Sequence, residues 1–304
     1  MKLTRTMFVV AGVSVLLSSC GPMGSNPGPV GPPGNPPLAL SAARAFSPEP
    51  GASAWLNTVN SLRAQAGVAP VLEDPLLSAG CAAHARYSVE NAVLSHSETP
   101  GAPFYSLEGV KCAENGNVLS ASFDAQAVYP VFQWLSGPFH ALGLLRPSAR
   151  KMGFGSYFKS GSPRPYSAAL DVVSGLDSSA PPTAYAFPAP GSQVVALSYS
   201  GGESPDPLAG CPGYSGPTVG APLLLALGQR RGQKSPTVTV TVGGVSVEAC
   251  SFTAQSFPNS AGAALLANDG ATVIFPKALL PSKATIQVSS SENGTEYVWS
   301  FTTF

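Results

Sequence analysis

Cysteine placement constrains this chain more tightly than anything else in it. Five cysteines are present. Cys20 stands alone near the N-terminus, Cys81 and Cys112 fall in one half, and Cys211 and Cys250 fall in the other. In an oxidising compartment an even set reads as a disulfide framework, although four cysteines allow three connectivities. Pairing within each half, Cys81 with Cys112 and Cys211 with Cys250, is the simplest arrangement and would staple each half separately. A zinc site is the competing use of such a set. It favours closely spaced ligand pairs, and no Cys-x-x-Cys occurs here.

The N-terminus argues for an oxidising destination. Lys2 and Arg5 precede a short apolar stretch from Met7 to Leu17. A membrane-spanning helix needs roughly 20 apolar residues, so this stretch has the length of a secretion-signal core instead. It runs into Leu17-Ser18-Ser19-Cys20-Gly21, which resembles the lipobox of bacterial lipoproteins. That resemblance implies a signal peptide over residues 1–20, with Cys20 lipidated as the mature N-terminus. The alternative is an ordinary signal peptide in which Cys20 falls by chance. Acyl chains contribute about 0.8 kcal/mol per buried CH₂, so a lipidated Cys20 would make the bilayer a partner. The protein would then be extracytoplasmic, anchored at an outer membrane or cell surface. Residues 21–53 are rich in Pro, Gly, Ser and Ala and read as a tether. The run Gly28-Pro29-Val30-Gly31-Pro32-Pro33-Gly34 has too few collagen-like triplets to trimerise.

Charge excludes one large class of partners. Sixteen basic residues balance sixteen acidic ones, and no basic run or stripe occurs. Nucleic-acid binding depends on clustered Lys and Arg that neutralise phosphates, so it is not expected. The 32 Gly and 31 Pro exceed average usage and point to turn-rich, β-rich structure.

Local patterns divide the remainder. Trp55, Val59, Leu62 and Ala66 recur at helical spacing until Gly67. Asp74-Pro75 reads as an N-cap with proline at the first helical position, opening a helix to about residue 94. A loop is expected over 95–111. Asp124 is the expected cap of a third helix ending near Trp134, followed after Gly137-Pro138 by a short helical turn over 139–145. Residues 151–158 and 166–173 alternate as antiparallel strands do. Helices followed by a hairpin indicate an α+β domain over 54–176. After a linker at 177–183, strand-like segments at 194–199, 223–228, 237–242, 245–249, 271–275, 285–290 and 297–302 indicate a β-sandwich over 184–304.

Four motifs stand in order within the first half: His96-Ser97; Cys112-Ala113-Glu114-Asn115-Gly116-Asn117; Gln133-Trp134 with Gly137-Pro138-Phe139-His140; and Met152-Gly153-Phe154-Gly155. Together they resemble the CAP (SCP) superfamily of cysteine-rich secretory, antigen 5 and pathogenesis-related proteins, over roughly residues 54–175. The resemblance implies an α-β-α sandwich with an open cleft in which His96, Glu114 and His140 face one another. It also implies sterol, lipid or metal binding in some members. Two departures stand out. Ala113 replaces a glycine, and Leu135, Ser136 and Gly137 lack the acid that many members place just after the tryptophan. In the second half, Phe187-Pro188-Ala189-Pro190-Gly191, the segment from Gly202 to Pro207, Leu280-Pro281 and Trp299-Ser300-Phe301-Thr302-Thr303 resemble bacterial Ig-like domains. Glu203 and Asp206 read there as turn-forming residues.

The chemistry of the cleft residues can be weighed without the family. Two of only three histidines flank the same loop-rich stretch. Two imidazoles, a carboxylate and water can hold a divalent cation such as zinc, weakly if the ligands are few. Glu114 could equally orient an imidazole from behind, and both histidines could be structural. His84, mid-helix, is expected to pack or to point at the cleft from behind, and no role is assigned to it. Ser97 and Ser136 neighbour histidines in sequence, but adjacent side chains do not face each other, and no G-x-S-x-G elbow occurs. The favoured reading is a non-enzymatic cleft for a divalent cation or for a small-molecule, lipid or envelope ligand. The competing readings are a metal-assisted hydrolase of envelope material and an adhesive β-sandwich protein.

Overall fold

The computed structural model describes residues 39–195, 198–199, 201–215, 219–228, 236–292 and 294–304. The expected signal segment, Cys20 and the first part of the tether lie outside the described residues. Residues 39–53 contain neither helix nor strand, yet they lie along the folded body. Arg44 N–H donates to Ala64 O at 2.9 Å and Ala43 N–H to Pro190 O at 3.1 Å. The end of the expected tether is therefore held by both halves.

The first half is built from α1 (Ala54–Gln65), β1 (Leu72–Glu73), α2 (Pro75–Glu90), α3 (Leu107–Glu114), β2 (Gly116–Ala121), α4 (Val128–Ser136), α5 (Pro138–Leu145), β3 (Lys151–Phe158) and β4 (Tyr166–Asp171). Its sheet has the order β1-β3-β4-β2. Asp74 caps α2 as expected, its Oδ1 accepting from Leu76 N–H at 3.0 Å. The helix stops at Glu90 rather than near residue 94, because Ala92 adopts a left-handed φ of 54°. The expected loop contains helix α3, started by Ser106 Oγ, which accepts from Gly109 N–H at 3.0 Å. Asp124 is not a cap, since α4 begins at Val128 after Ala127.

The glycines of Met152-Gly153-Phe154-Gly155 have a steric purpose. A Cβ at Gly153 would lie 2.3 Å from Leu77 of α2, and one at Gly155 would lie 2.0 Å from Ala82 N. Helix α2 can rest against β3 only because those two positions lack side chains. Between them Met152 and Phe154 point the other way, as strand alternation requires. There Phe154 stacks on Trp55 of α1 at 5.6 Å and meets the edge of Trp134 of α4 at 6.4 Å. Alternate residues of β4 divide likewise: Ala169 clusters with Cys81 and Cys112, while Ala168 and Leu170 join the cluster that contains Trp55 and Trp134.

The second half comprises β5 (Tyr185–Phe187), β6 (Gln193–Val194), a 3₁₀ turn (Pro207–Gly210), β7 (Leu223–Ala226), β8 (Thr237–Val242), β9 (Val245–Val247), β10 (Ala249–Thr253), α6 (Ser260–Asp269), β11 (Ala271–Pro276), β12 (Thr285–Glu292) and β13 (Thr295–Thr303). These strands form a four-stranded sheet, β10-β11-β7-β5, and a five-stranded sheet, β6-β13-β12-β8-β9. Strands β12 and β13 alternate buried and exposed residues, so one face meets solvent. Strands β7 and β11 are buried at every position. Their alternate residues belong to different clusters: Leu223, Leu225 and Ile274 pack with Trp299 and Phe301, whereas Leu224, Val273 and Phe275 pack with residues of the first half. The four-stranded sheet is thus covered on both faces. Helix α6, absent from the expected elements, adds Asp269, whose carboxylate receives a two-pronged hydrogen bond from Arg146 at 2.8 Å on each oxygen.

Both expected disulfides are present. Cys81 joins Cys112 with Cα atoms 5.2 Å apart, tying α2 to α3, and Cys211 joins Cys250 at 5.8 Å. The first closes a loop over a sequence separation of 31, for which chain entropy gives about 3–4 kcal/mol. A Cys81→Ala/Cys112→Ala variant is expected to lose stability of that order in urea unfolding. Unchanged stability, or non-reducing peptide mapping that finds free thiols in exported protein, would count against this staple.

Candidate ligand-binding cleft

The two predicted cleft histidines are held in the same manner by different parts of the chain. His96 lies in the loop between α2 and α3, where its Nδ1 is 2.9 Å from Ala113 O in the last turn of α3. A carbonyl only accepts, so Nδ1 carries the proton and Nε2 keeps a free lone pair. The residue is exposed on one side. Desolvation by the packing on its other side holds the imidazole below the usual histidine range. The Ala113 hydrogen bond opposes that shift, and the charges of His140 and His84 reinforce it.

His140 is the third residue of α5, in its first turn, where backbone N–H groups lack intrahelical acceptors. Its backbone N–H donates to Glu203 Oε1 at 2.8 Å, and its Nδ1 lies 2.6 Å from the same oxygen. The His140 side chain is 18% exposed and that of Glu203 2%, so the pair is buried on the acid's side and open on the imidazole's. An ionised carboxylate accepts only, so in the neutral ring the proton sits on Nδ1 and Nε2 keeps its lone pair. Asn117 Nδ2 donates to His140 O at 3.2 Å, holding the helix to β2.

Glu114 is placed differently from the two histidines. It ends α3, is exposed, and its carboxylate forms no hydrogen bond or ion pair among the described residues. Among those residues, no group of three or more His, Cys, Asp or Glu side chains is gathered closely enough to hold a metal ion. The acid that touches a cleft histidine is Glu203. Sequence reasoning assigned Glu203 and Asp206 to a turn. That description fits Asp206, whose Oδ1 accepts from Leu208 N–H at 3.0 Å, but Glu203 reaches across to α5. The available signal was Gly137. A Cβ there would lie 2.7 Å from both Cδ and Oε1 of Glu203.

His84 has a second acid partner that sequence reasoning missed. It is fully buried in α2, with Nδ1 3.0 Å from Glu98 Oε1 and Nε2 3.0 Å from Ser95 O. Glu98 Oε2 also accepts from Ser106 N–H at 2.9 Å. Ser88 Oγ lies 3.3 Å from His84 Nε2, so His84 and Glu98 form a buried hydrogen-bonded pair whose ring also meets a carbonyl and a hydroxyl. This pair fixes the two ends of the 95–106 loop that carries His96. Gly109 leaves the space for it, since a Cβ there would meet Glu98 Oε1 at 2.2 Å.

The two serines bond away from the cleft histidines. Ser97 Oγ pairs with Ser95 Oγ at 3.0 Å, and Ser136 Oγ donates to Gln133 O at 2.7 Å. A separate apolar cavity of about 510 Å³ lies between α1, α4 and the strands of the second half, lined by Leu62, Phe132, Leu135, Phe187, Val195 and Phe301 among others. No helix among the described residues is long and apolar enough to cross a membrane.

None of the curated proteins compared with the chain matches it. Residues 56–168, the stretch that contains His84, His96, Glu114 and His140 but not Glu203, match the model of CAP, the cysteine-rich secretory protein family, and this part of the chain carries a CAP domain.

Proposed function

We propose that this protein is a binding module whose cleft takes a divalent cation or small ligand between His96 and His140, without catalysis. One observation carries the reading: each imidazole has its Nδ1 engaged by a fixed acceptor, Ala113 O or Glu203, and offers a bare Nε2. Metal-binding histidines are commonly oriented in this way, with the second ring nitrogen donating to a carbonyl or carboxylate. In this reading Glu114, exposed at the end of α3, is the carboxylate assigned to the shell. Few protein ligands imply weak binding with water in the remaining positions. The division of β3 and β4 residues between two clusters supports the α-β-α sandwich for the first half. The core shared between the two sheets supports a β-sandwich of Ig-like type for the second.

Zinc titration by calorimetry tests the cation reading. Wild type is expected to give heat and a His96→Ala/His140→Ala variant none. Equal heats in the two would move the metal elsewhere, and no heat in either would reject zinc. Binding is expected to weaken below about pH 6, where protons compete for imidazoles of ordinary pKa near 6.5. Because His96 is held below that range, its nitrogen stays available to lower pH than a free imidazole would. The same samples, with and without chelator, tested on peptidoglycan and peptide substrates, address the metal-assisted hydrolase reading: chelator-sensitive turnover would replace the non-enzymatic one.

The cavity of about 510 Å³ favours a second reading, an apolar ligand such as an acyl chain. A fluorescent fatty acid is expected to bind wild type and to bind Val195→Trp at least several-fold more weakly. Undiminished binding would place the probe outside this cavity.

The membrane anchor is proposed on the lipobox-like sequence at Cys20, in keeping with two disulfides that require an oxidising compartment. Cys20→Ala is expected to move the protein from the membrane fraction to the soluble one. Unaltered partition into detergent would reject lipidation.

A further inference from the structure

We infer that Glu203 is a positioning residue of the cleft, donated by the second half of the chain to fix His140 in the Nδ1–H form with Nε2 presented to the ligand. The inference rests on the reading of His140 as a ligand-binding imidazole, and it places control of the cleft in a residue outside the CAP-matched stretch.

Three independent features converge on this carboxylate. The first is its double engagement. Oε1 accepts both the backbone N–H and the Nδ1–H of His140, at 2.8 and 2.6 Å, so ring and helix terminus are oriented by one atom. The position suits a negative charge, because the first turn of a helix presents unpaired N–H groups and the positive end of its dipole. The second is steric. A side chain at position 137 would occupy the same volume as the carboxylate, since a Cβ on Gly137 would stand within 2.7–2.9 Å of Cδ, Oε1 and Oε2. The glycine before α5 and the distant glutamate are thus two parts of one arrangement. The third is cost. Glu203 is 2% exposed, and its Oε2 has no hydrogen-bond partner among the described residues. Burying a carboxylate with one oxygen unsatisfied is unfavourable. Turn formation alone would not require it, because a glutamate in a surface turn can extend into water. Tyr199, buried nearby, has its phenol pKa raised by desolvation, with the charges of Glu203 and Asp206 adding to the shift.

The consequence for binding follows from imidazole chemistry. A neutral histidine has one N–H and one lone pair, and the hydrogen bond made by one nitrogen decides what the other offers. With Glu203 in place Nε2 is the donor atom for a cation. Without it the ring is free to rotate and to adopt the Nε2–H form, which has no lone pair on the cleft side.

Imidazole ¹⁵N shifts of the full chain at pH 8.5, where histidines of ordinary pKa are neutral, read the tautomer without any metal. Wild type is expected to show His140 as Nδ1–H. Glu203→Ala is expected to shift it toward Nε2–H, and Glu203→Gln to keep Nδ1–H because the amide oxygen still accepts. Gly137→Ala, which leaves Glu203 present but displaces it, is expected to behave as Glu203→Ala does. Zinc affinity should fall about 10–100-fold in Glu203→Ala and less in Glu203→Gln. An Nε2–H ring in folded wild type, or an Nδ1–H ring unmoved in both Glu203→Ala and Gly137→Ala, would overturn the inference. If the tautomer shifts as expected while wild type binds no zinc, the positioning role stands and the cation reading alone fails.

Discussion

Helix α5 is an apolar segment with almost nowhere to meet water. Of its eight residues, Pro138, Phe139, Ala141, Leu142, Gly143, Leu144 and Leu145 are all buried. A helix in that position still has unpaired N–H groups at one end and unpaired C=O groups at the other. Both ends are met by ionic side chains of the appropriate sign. At the N-terminal end the Glu203 carboxylate accepts from His140 N–H. At the C-terminal end the guanidinium of Arg63, itself fully buried, donates to Leu144 O at 2.7 Å, and also reaches Arg146 O, Ala149 O and Ala69 O. Burial lowers the Arg63 pKa to about 10, which leaves it charged at neutral pH. An acid at the N-terminus and a base at the C-terminus complement the helix dipole, so the most buried helix of the first half depends on one charge from each half.

That dependence explains why the chain beyond residue 36 behaves as one compact unit. The sequence divides naturally at 177–183, and each side contains its own disulfide and sheet. Yet Phe139 packs against Phe257 at 5.2 Å, Arg146 clamps Asp269, and Leu224, Val273 and Phe275 share a cluster with Trp55 and Trp134. Ion pairs that are mostly buried contribute little net stability compared with apolar replacements, but losing one partner is costly. Here they lie beside the apolar contact of Phe139 with Phe257, so one side of the interface carries both.

Elements with strong local signals were legible in the sequence. The Asp74-Pro75 start of α2, the Gly67 end of α1, the β3–β4 hairpin and the pairing of cysteines within each half all depend on neighbours in sequence or on simple parsimony. Helix α3 was hidden because its eight residues, Leu107–Glu114, are too short to display a repeating apolar face. Helix α6 was hidden by Ala and Gly content, with an apolar residue at nearly every side of a ten-residue helix. Strands β7 and β11 were expected as strands of a β-sandwich and are buried on both faces, because a sheet covered twice replaces alternation with a continuous apolar run. At the candidate site, His96 and His140 could be named from sequence, while Glu203, the acid on His140, and Glu98, the acid on His84, could not. Each acid is recognised by the space it fills, and that space shows in the sequence only as a glycine, Gly109 or Gly137, with nothing to say what occupies it.

This asymmetry bears on the lack of an acid at positions 135–137, just before the helix that carries His140. A carboxylate at 135–137 would approach the imidazole from the end of α4 or the Gly137 junction, constrained by local backbone geometry. A carboxylate from position 203 approaches from the neighbouring half, at a sequence separation of 63. It reaches Nδ1 only when the four-stranded sheet is docked, with Phe257 on Phe139 and Asp269 on Arg146. Opening that interface would release the α5 N-terminus and the His140 ring together, since one oxygen holds both. The orientation of the His140 ring is therefore tied to the contact between the halves, and a ligand that bound only the oriented ring would stabilise that contact by linkage.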